Sequence, residues 1–142
     1  MEQQNFKNHK RIVMGYHVIS FMAIVLLLIG SIINFTHSAK ENLYSSSLLI
    51  LVAVILLSLF FYARLFALKA QDRAIRAEEK FRYYILTGKQ ISNKLTTRQI
   101  IGLRFASDEE FPALAEKAEK ENLSEIDIKK AIVNWKSDFY RV

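Results

Sequence analysis

LYSSSLLILVAVILLSLFFYARLFALKAQDRAIRAEEKFRYYIL, residues 43–86, decides how the rest of the chain is read. Its first half, Leu43 to Ala63, is apolar except for Ser45, Ser46, Ser47 and Ser58. Its second half is dense in charge, and no Pro or Gly interrupts it before Gly88. About 20 apolar residues at a rise of 1.5 Å suffice to cross a hydrocarbon core. The segment therefore predicts one long helix that spans a membrane over 43–68 and continues into the cytoplasm over 69–88.

Upstream, residues 12–35 hold no Asp, Glu, Lys or Arg. That run exceeds the 7–15 residue apolar region of a cleaved signal peptide, and His37 stands where a small residue would be needed for cleavage after Ala39. A retained first span over 12–35 is expected, joined by a short outer loop, 36–42, to an antiparallel second span. Residues 1–11 are expected to form a cytoplasmic tail, partly ordered at best. Tyr16, Phe35, Tyr44 and Tyr62 fall near the span ends, where aromatic rings favour the interface.

Charge sets the orientation. Residues 1–86 carry 10 Lys/Arg against 5 Asp/Glu, and residues 87–142 carry 10 against 9. The basic excess lies beside the spans: Lys7, Lys10 and Arg11 on one side, Arg64, Lys69, Arg73, Arg76, Lys80 and Arg82 on the other. The outer loop has Lys40 beside Glu41. Both termini are thus expected in the cytoplasm. The near-neutral C-terminal third gives no basic face for nucleic acid. Lys69, Arg73 and Arg76 form a stripe suited to anionic lipid headgroups.

A second stripe runs along the same helix. Ala63, Ala67, Ala70, Ala74, Ala77, Phe81 and Tyr84 recur at spacings of 4, 3, 4, 3, 4 and 3. Ala67, Ala70, Ala74 and Ala77 predict close helix packing, against this chain or a second copy. Phe81 and Tyr84 are expected to join Trp135 in the core of a small helical module over 89–142. Gly88 is the expected left-handed stop.

Within that module Thr96-Thr97-Arg98-Gln99 and Ser107-Asp108-Glu109-Glu110 fit capping boxes, and Ser124-Glu125-Ile126-Asp127 fits a looser one. Pro112 leaves two options for the second: a separate first turn at Ser107, or a helix that tolerates a missing bond. The last helix, 125–139, would place Ile128, Ile132, Trp135 and Phe139 on one face.

Chemistry-bearing groups are sparse. There is no Cys, so disulfides, thiolate metal sites and a Cys nucleophile are excluded. No phosphate-binding Gly-rich loop or H-E-x-x-H repeat occurs. The second span lacks a His to pair with His17 around a haem. His17 reads as interfacial, or as a proton or headgroup contact. Asp108, Glu109 and Glu110 are explained by capping and the helix dipole. No cofactor, metal or catalytic residue is expected.

Several motifs resemble one uncharacterised family of small two-span bacterial membrane proteins, catalogued as a domain of unknown function. They are Phe6-Lys7-Asn8-His9, the run Arg64-Leu65-Phe66-Ala67-Leu68-Lys69-Ala70-Gln71-Asp72-Arg73-Ala74-Ile75-Arg76, the run Leu103-Arg104-Phe105-Ala106-Ser107-Asp108-Glu109-Glu110-Phe111-Pro112, and Ile128-Lys129-Lys130-Ala131-Ile132 with Trp135 and Arg141. The resemblance covers nearly the whole chain and implies a multi-pass location in a bacterial cytoplasmic membrane, with no known activity. The expectation is an all-α, non-enzymatic scaffold or interaction protein in contact with lipid, partnered by further copies of itself or by another membrane protein. The alternative is an accessory subunit or regulator of a membrane enzyme or transporter.

Overall fold

The backbone of the apolar runs can satisfy its own hydrogen bonds as helix, and it does so in both. In the computed structural model, which describes residues 4–9 and 11–139, a π-helical turn Gly15–Ser20 leads into α1, Phe21–His37. A 3-10 turn, Lys40–Asn42, then opens α2, Leu43–Thr87. Three short helices follow: α3, Thr97–Leu103; α4, Phe111–Lys120; and α5, Glu125–Ala131. The described residues contain no strand beyond an isolated bridge between Ala106 and Trp135. By length and composition, Gly15–His37 and Lys40–Thr87 are long and apolar enough to cross a membrane.

The chain divides into two units, residues 11–67 and residues 1–10 with 68–142. In the first, the Tyr16 ring stacks on Phe60 at 4.4 Å, and its hydroxyl donates to the Phe60 carbonyl. Phe21 adds further contacts to Phe60 and Phe61. The buried positions here are small: Ser31, Ser46 and Ala53. Both serine hydroxyls donate back to helix carbonyls, Ser31 to Leu27 and Ser46 to Asn42, so burial leaves neither polar atom unpaired.

The second unit is built on local signals. Gly88 takes φ 68° and its N–H bonds the Tyr84 carbonyl, which ends α2. The Thr96 hydroxyl accepts from Gln99 N at 3.2 Å, and the Gln99 side chain accepts from Thr96 N at 2.8 Å, a complete capping box. Gln99 then donates to the Leu123 carbonyl, tying α3 to the α4–α5 connection. Asn122, at φ 48°, closes α4, with Leu123 N bonded to the Ala118 carbonyl. Ser124 caps α5 through Asp127 N. Phe105, Phe111, Leu103, Ile100 and Ile128 are fully buried between these helices.

One open choice is settled and two expectations change. First, Ser107–Phe111 is a separate turn, Phe111 N bonding the Ser107 carbonyl, and α4 starts only at Phe111. Pro112 thereby falls in the first turn, where no intrahelical N–H is lost. Second, the last helix stops at Ala131 instead of running to 139. The Glu110 carboxylate accepts from Val133 N and Asn134 N, and Lys136 N bonds the Phe105 carbonyl, so backbone groups that would continue the helix are committed elsewhere. Ile128 and Ile132 stay buried, but Phe139 is exposed. Third, residues 4–9 are not a loose tail. Gln4 exchanges two bonds with the backbone of Asp138, and His9 packs on Phe105 and Trp135. The expected basic residue Lys10 and the motif residue Arg141 lie outside the described residues.

Candidate functional site

The C-terminal half of α2 has two faces with different fates, and both follow from helical geometry. Residues spaced 3 and 4 apart line one side. Ile75, Glu79 and Tyr83 recur at intervals of 4, and all three are buried. Arg82 lies on the same side with a side chain only 12% exposed.

Arg82 is the polar centre of that covered face. Its guanidinium donates to Glu79 at 2.9 Å, to Asp108 at 2.7 Å and to the Ala106 carbonyl at 2.7 Å. The same group lies over the Phe111 ring, 4.7 Å from its centre. A planar cation with several fixed donors suits this task. Here it ties α2 to the turn between α3 and α4 while pairing with two carboxylates. Arg104 repeats the arrangement beside it: its Nε is 3.2 Å from Asp138 and its guanidinium lies over Phe105. Tyr83 packs edge-on against Phe111. Burial, then the carboxylates of Glu116 and Glu119, pushes the Tyr83 phenol above its ordinary pKa. Glu109 titrates lower than usual because it accepts a hydrogen bond from its own backbone amide.

These ionic groups are paired with one another and placed to join elements. Among the described residues, no group of three or more His, Cys, Asp and Glu side chains could hold a metal ion. Two open grooves border the helix. One, about 400 Å³, has Glu78, Glu79, Arg104, Lys136 and Asp138 along it. The other, about 500 Å³, is lined by Lys80, Phe81, Tyr84, Gln90, Ile91 and Asn93.

The opposite face of α2 is uncovered. Ala67 is half-buried, while Ala70, Ala74 and Ala77 are exposed. Lys69, Arg73 and Arg76 are exposed as well. Phe81 and Tyr84, expected in the module core, are 65% and 50% exposed, and Ile85 is 65% exposed. The core position is taken by Tyr83, about 100° around the helix from Tyr84. Trp135 does pack against the core, partly buried, with its ring 4.9 Å from Phe105. His17 is half-buried and its ring lies against Tyr16.

The packing roles of Ile75, Glu79, Arg82, Tyr83 and His9 are therefore what the residue pattern alone did not assign. The 4-residue repeat of Ile75, Glu79 and Tyr83, with an ion pair at Glu79 and Arg82, was a usable signal. It competed with the longer Ala–Phe–Tyr stripe on the other side.

The chain belongs to the family of unknown function DUF6526, whose model matches residues 1–142. No curated protein and no solved structure matches it.

Proposed function

We propose that this is a small integral membrane protein, non-enzymatic, that presents a helical interaction module at the cytoplasmic face of a bacterial cytoplasmic membrane. The observation that carries the reading is the exposure of its apolar helices. Over an apolar stretch of 18 residues in each, only 6% is buried. A core helix of a water-soluble protein would be mostly covered, and so large an apolar surface calls for lipid around it. The basic flanks orient both termini to the cytoplasm. On this reading Lys69, Arg73 and Arg76 meet anionic headgroups, each contributing about 1 kcal/mol near the surface.

A scaffold role fits ionic groups that are spent on holding elements together. The exposed Phe81, Tyr84 and Ile85 leave a surface for a partner. An accessory-subunit role would use the same surface for an unlike protein.

Membranes containing the protein are washed with alkaline carbonate, then solubilised in mild detergent and the protein purified. It should stay in the membrane through the wash. Release into the wash would overturn the membrane reading. A homo-oligomer favours the scaffold, and a stoichiometric unlike protein favours the accessory subunit. A reporter active only outside the cytoplasm, fused after Val142, should be silent.

A further inference from the structure

The uncovered face of α2 has the register of a coiled-coil seam. Residues 67, 70, 74, 77, 81 and 84 alternate spacings of 3 and 4, which places Ala67, Ala74 and Phe81 at heptad position a and Ala70, Ala77 and Tyr84 at position d. The self-packed residues Ile75, Glu79, Arg82 and Tyr83 fall at b, f, b and c, away from the seam. Folding of the module thus consumes one side of the helix and leaves Ala70, Ala74, Ala77, Phe81 and Tyr84 exposed at positions a and d, with Ala67 half-buried and Ala74 at the edge of the groove toward Arg104 and Asp138. The aromatic end of the seam is large and wet: Phe81, Tyr84 and Ile85 are each at least half exposed.

The flanking charges select the occupant. Arg73 and Lys80 stand at position g, and Glu78 at position e. In a parallel pair, a g residue of one helix meets the e residue five positions later on the other. That sets Arg73 of one copy against Glu78 of the other, and symmetry repeats the pair on the far side. An antiparallel pair would bring g to g and so set Arg73 and Lys80 of the two copies against each other. Arg73, Glu78 and Lys80 make no ion pair within the chain among the described residues: the pairs formed there use Glu79, Arg82 and others.

We propose that a second copy of this chain docks along this face as a parallel two-stranded coiled coil, with Ala74 near the axis, Phe81 and Tyr84 stacked at its far end, and Arg73 paired with Glu78 of the second copy. The proposal rests on the scaffold reading and names its partner. Arg73, at the edge of the basic stripe, then serves the pair, and Lys69 and Arg76 keep the lipid-facing role.

The test is disulfide crosslinking of the full chain in membranes. The protein has no Cys, so Ala74→Cys introduces a single thiol. Ala74→Cys should crosslink efficiently, and Arg76→Cys, on another side of the helix, should not. Adding Glu78→Arg to Ala74→Cys should lower the crosslinked yield several-fold, and adding Arg73→Glu as well should restore it. Module protease resistance, measured on every variant, separates loss of pairing from loss of folding. If folded Ala74→Cys fails to crosslink while the protein stays in carbonate-washed membranes, the second copy is excluded and the scaffold reading survives. If the chain leaves the membrane, the scaffold reading itself fails. Crosslinking indifferent to both charge changes would overturn the parallel register.

Discussion

Arg82 and Asp108, 26 positions apart in the chain, meet with Nε 2.7 Å and Nη2 2.6 Å from Asp108 Oδ1, the first side chain mostly covered on α2 and the other more than half exposed on the turn before α4. The asymmetry matters for energetics. The guanidinium also serves Glu79 and the carbonyl of Ala106, so its removal strands buried groups, whereas Asp108 can return to water.

Arg82→Ala should therefore destabilise the module by about 3 kcal/mol, the cost of breaking a largely buried ionic network from its central member. Asp108→Asn should cost about 1 kcal/mol or less, as for an exposed partner. Arg82→Lys should resemble Arg82→Ala more than the parent, because an ammonium cannot span three acceptors in one plane. Urea unfolding of the three variants in detergent measures all of this. Equal effects at Arg82 and Asp108 would mean that the exposed pair, and not the carbonyl contact, carries the joint.

Trp135 holds the N-terminal segment to the module. Its ring lies 5.8 Å from His9 and 4.9 Å from Phe105. Trp135→Ala should cost about 3 kcal/mol, the low end for a large aromatic because the ring is only partly buried. His9→Ala should free residues 4–9 with far less loss of stability. Tryptic cleavage after Lys7 should accelerate in both variants, and cleavage inside the module in Trp135→Ala alone. A Lys7 site that stays slow in His9→Ala would place the hold at Gln4 and Asp138 instead.

Much of the fold was legible because its signals are local. The Thr96–Gln99 box, the Ser124 cap and the Gly88 stop each lie within a few residues and use chemistry that has little alternative. What could not be read locally is decided by distant partners. Glu110 ends the α5 region by capturing backbone 23 and 24 positions away. Gln4 bonds Asp138 across 134 positions. The exchange of Tyr84 for Tyr83 in the core is subtler. Two stripes on one helix were each regular, and only the position of the module tells which is covered. The expected lipid stripe of Lys69, Arg73 and Arg76 and the alanine stripe rest on charge and spacing, and periodicity identifies a face without identifying its occupant.

Tyr83 gives the module a defined alkaline limit. Its folded pKa is raised above the ordinary 10.0, chiefly by burial. The neutral phenol therefore contributes in full below about pH 10, and the contribution is lost as pH rises through the folded value. The parent should lose more melting temperature between pH 8 and pH 11 than Tyr83→Phe, which has no proton to lose. Identical slopes for the two proteins would show that the phenol is as easily ionised folded as unfolded.

Two glycines offer the sharpest test of the packing, because they are needed for different reasons. Gly88 has open space where a Cβ would sit, so Gly88→Ala meets no neighbour, but its φ of 68° puts an L side chain in the left-handed region. The cost should be about 1 kcal/mol and purely backbone in origin. Gly102 sits inside α3, where alanine would be favoured by about 1 kcal/mol on propensity alone. There a methyl would lie 3.1 Å from the Glu125 carbonyl oxygen and 3.3 Å from Ile128 Cγ2. The oxygen belongs to the backbone of α5 and cannot swing aside, so the two helices must separate, at about 1–3 kcal/mol. Gly102→Ala should thus be neutral to destabilising despite its better propensity, and Gly102→Val clearly worse than Gly88→Val is relative to Gly88→Ala. Denaturant midpoints of the four variants decide it. A stabilised Gly102→Ala would mean that α3 and α5 stand further apart than the buried contact at Ile128 requires.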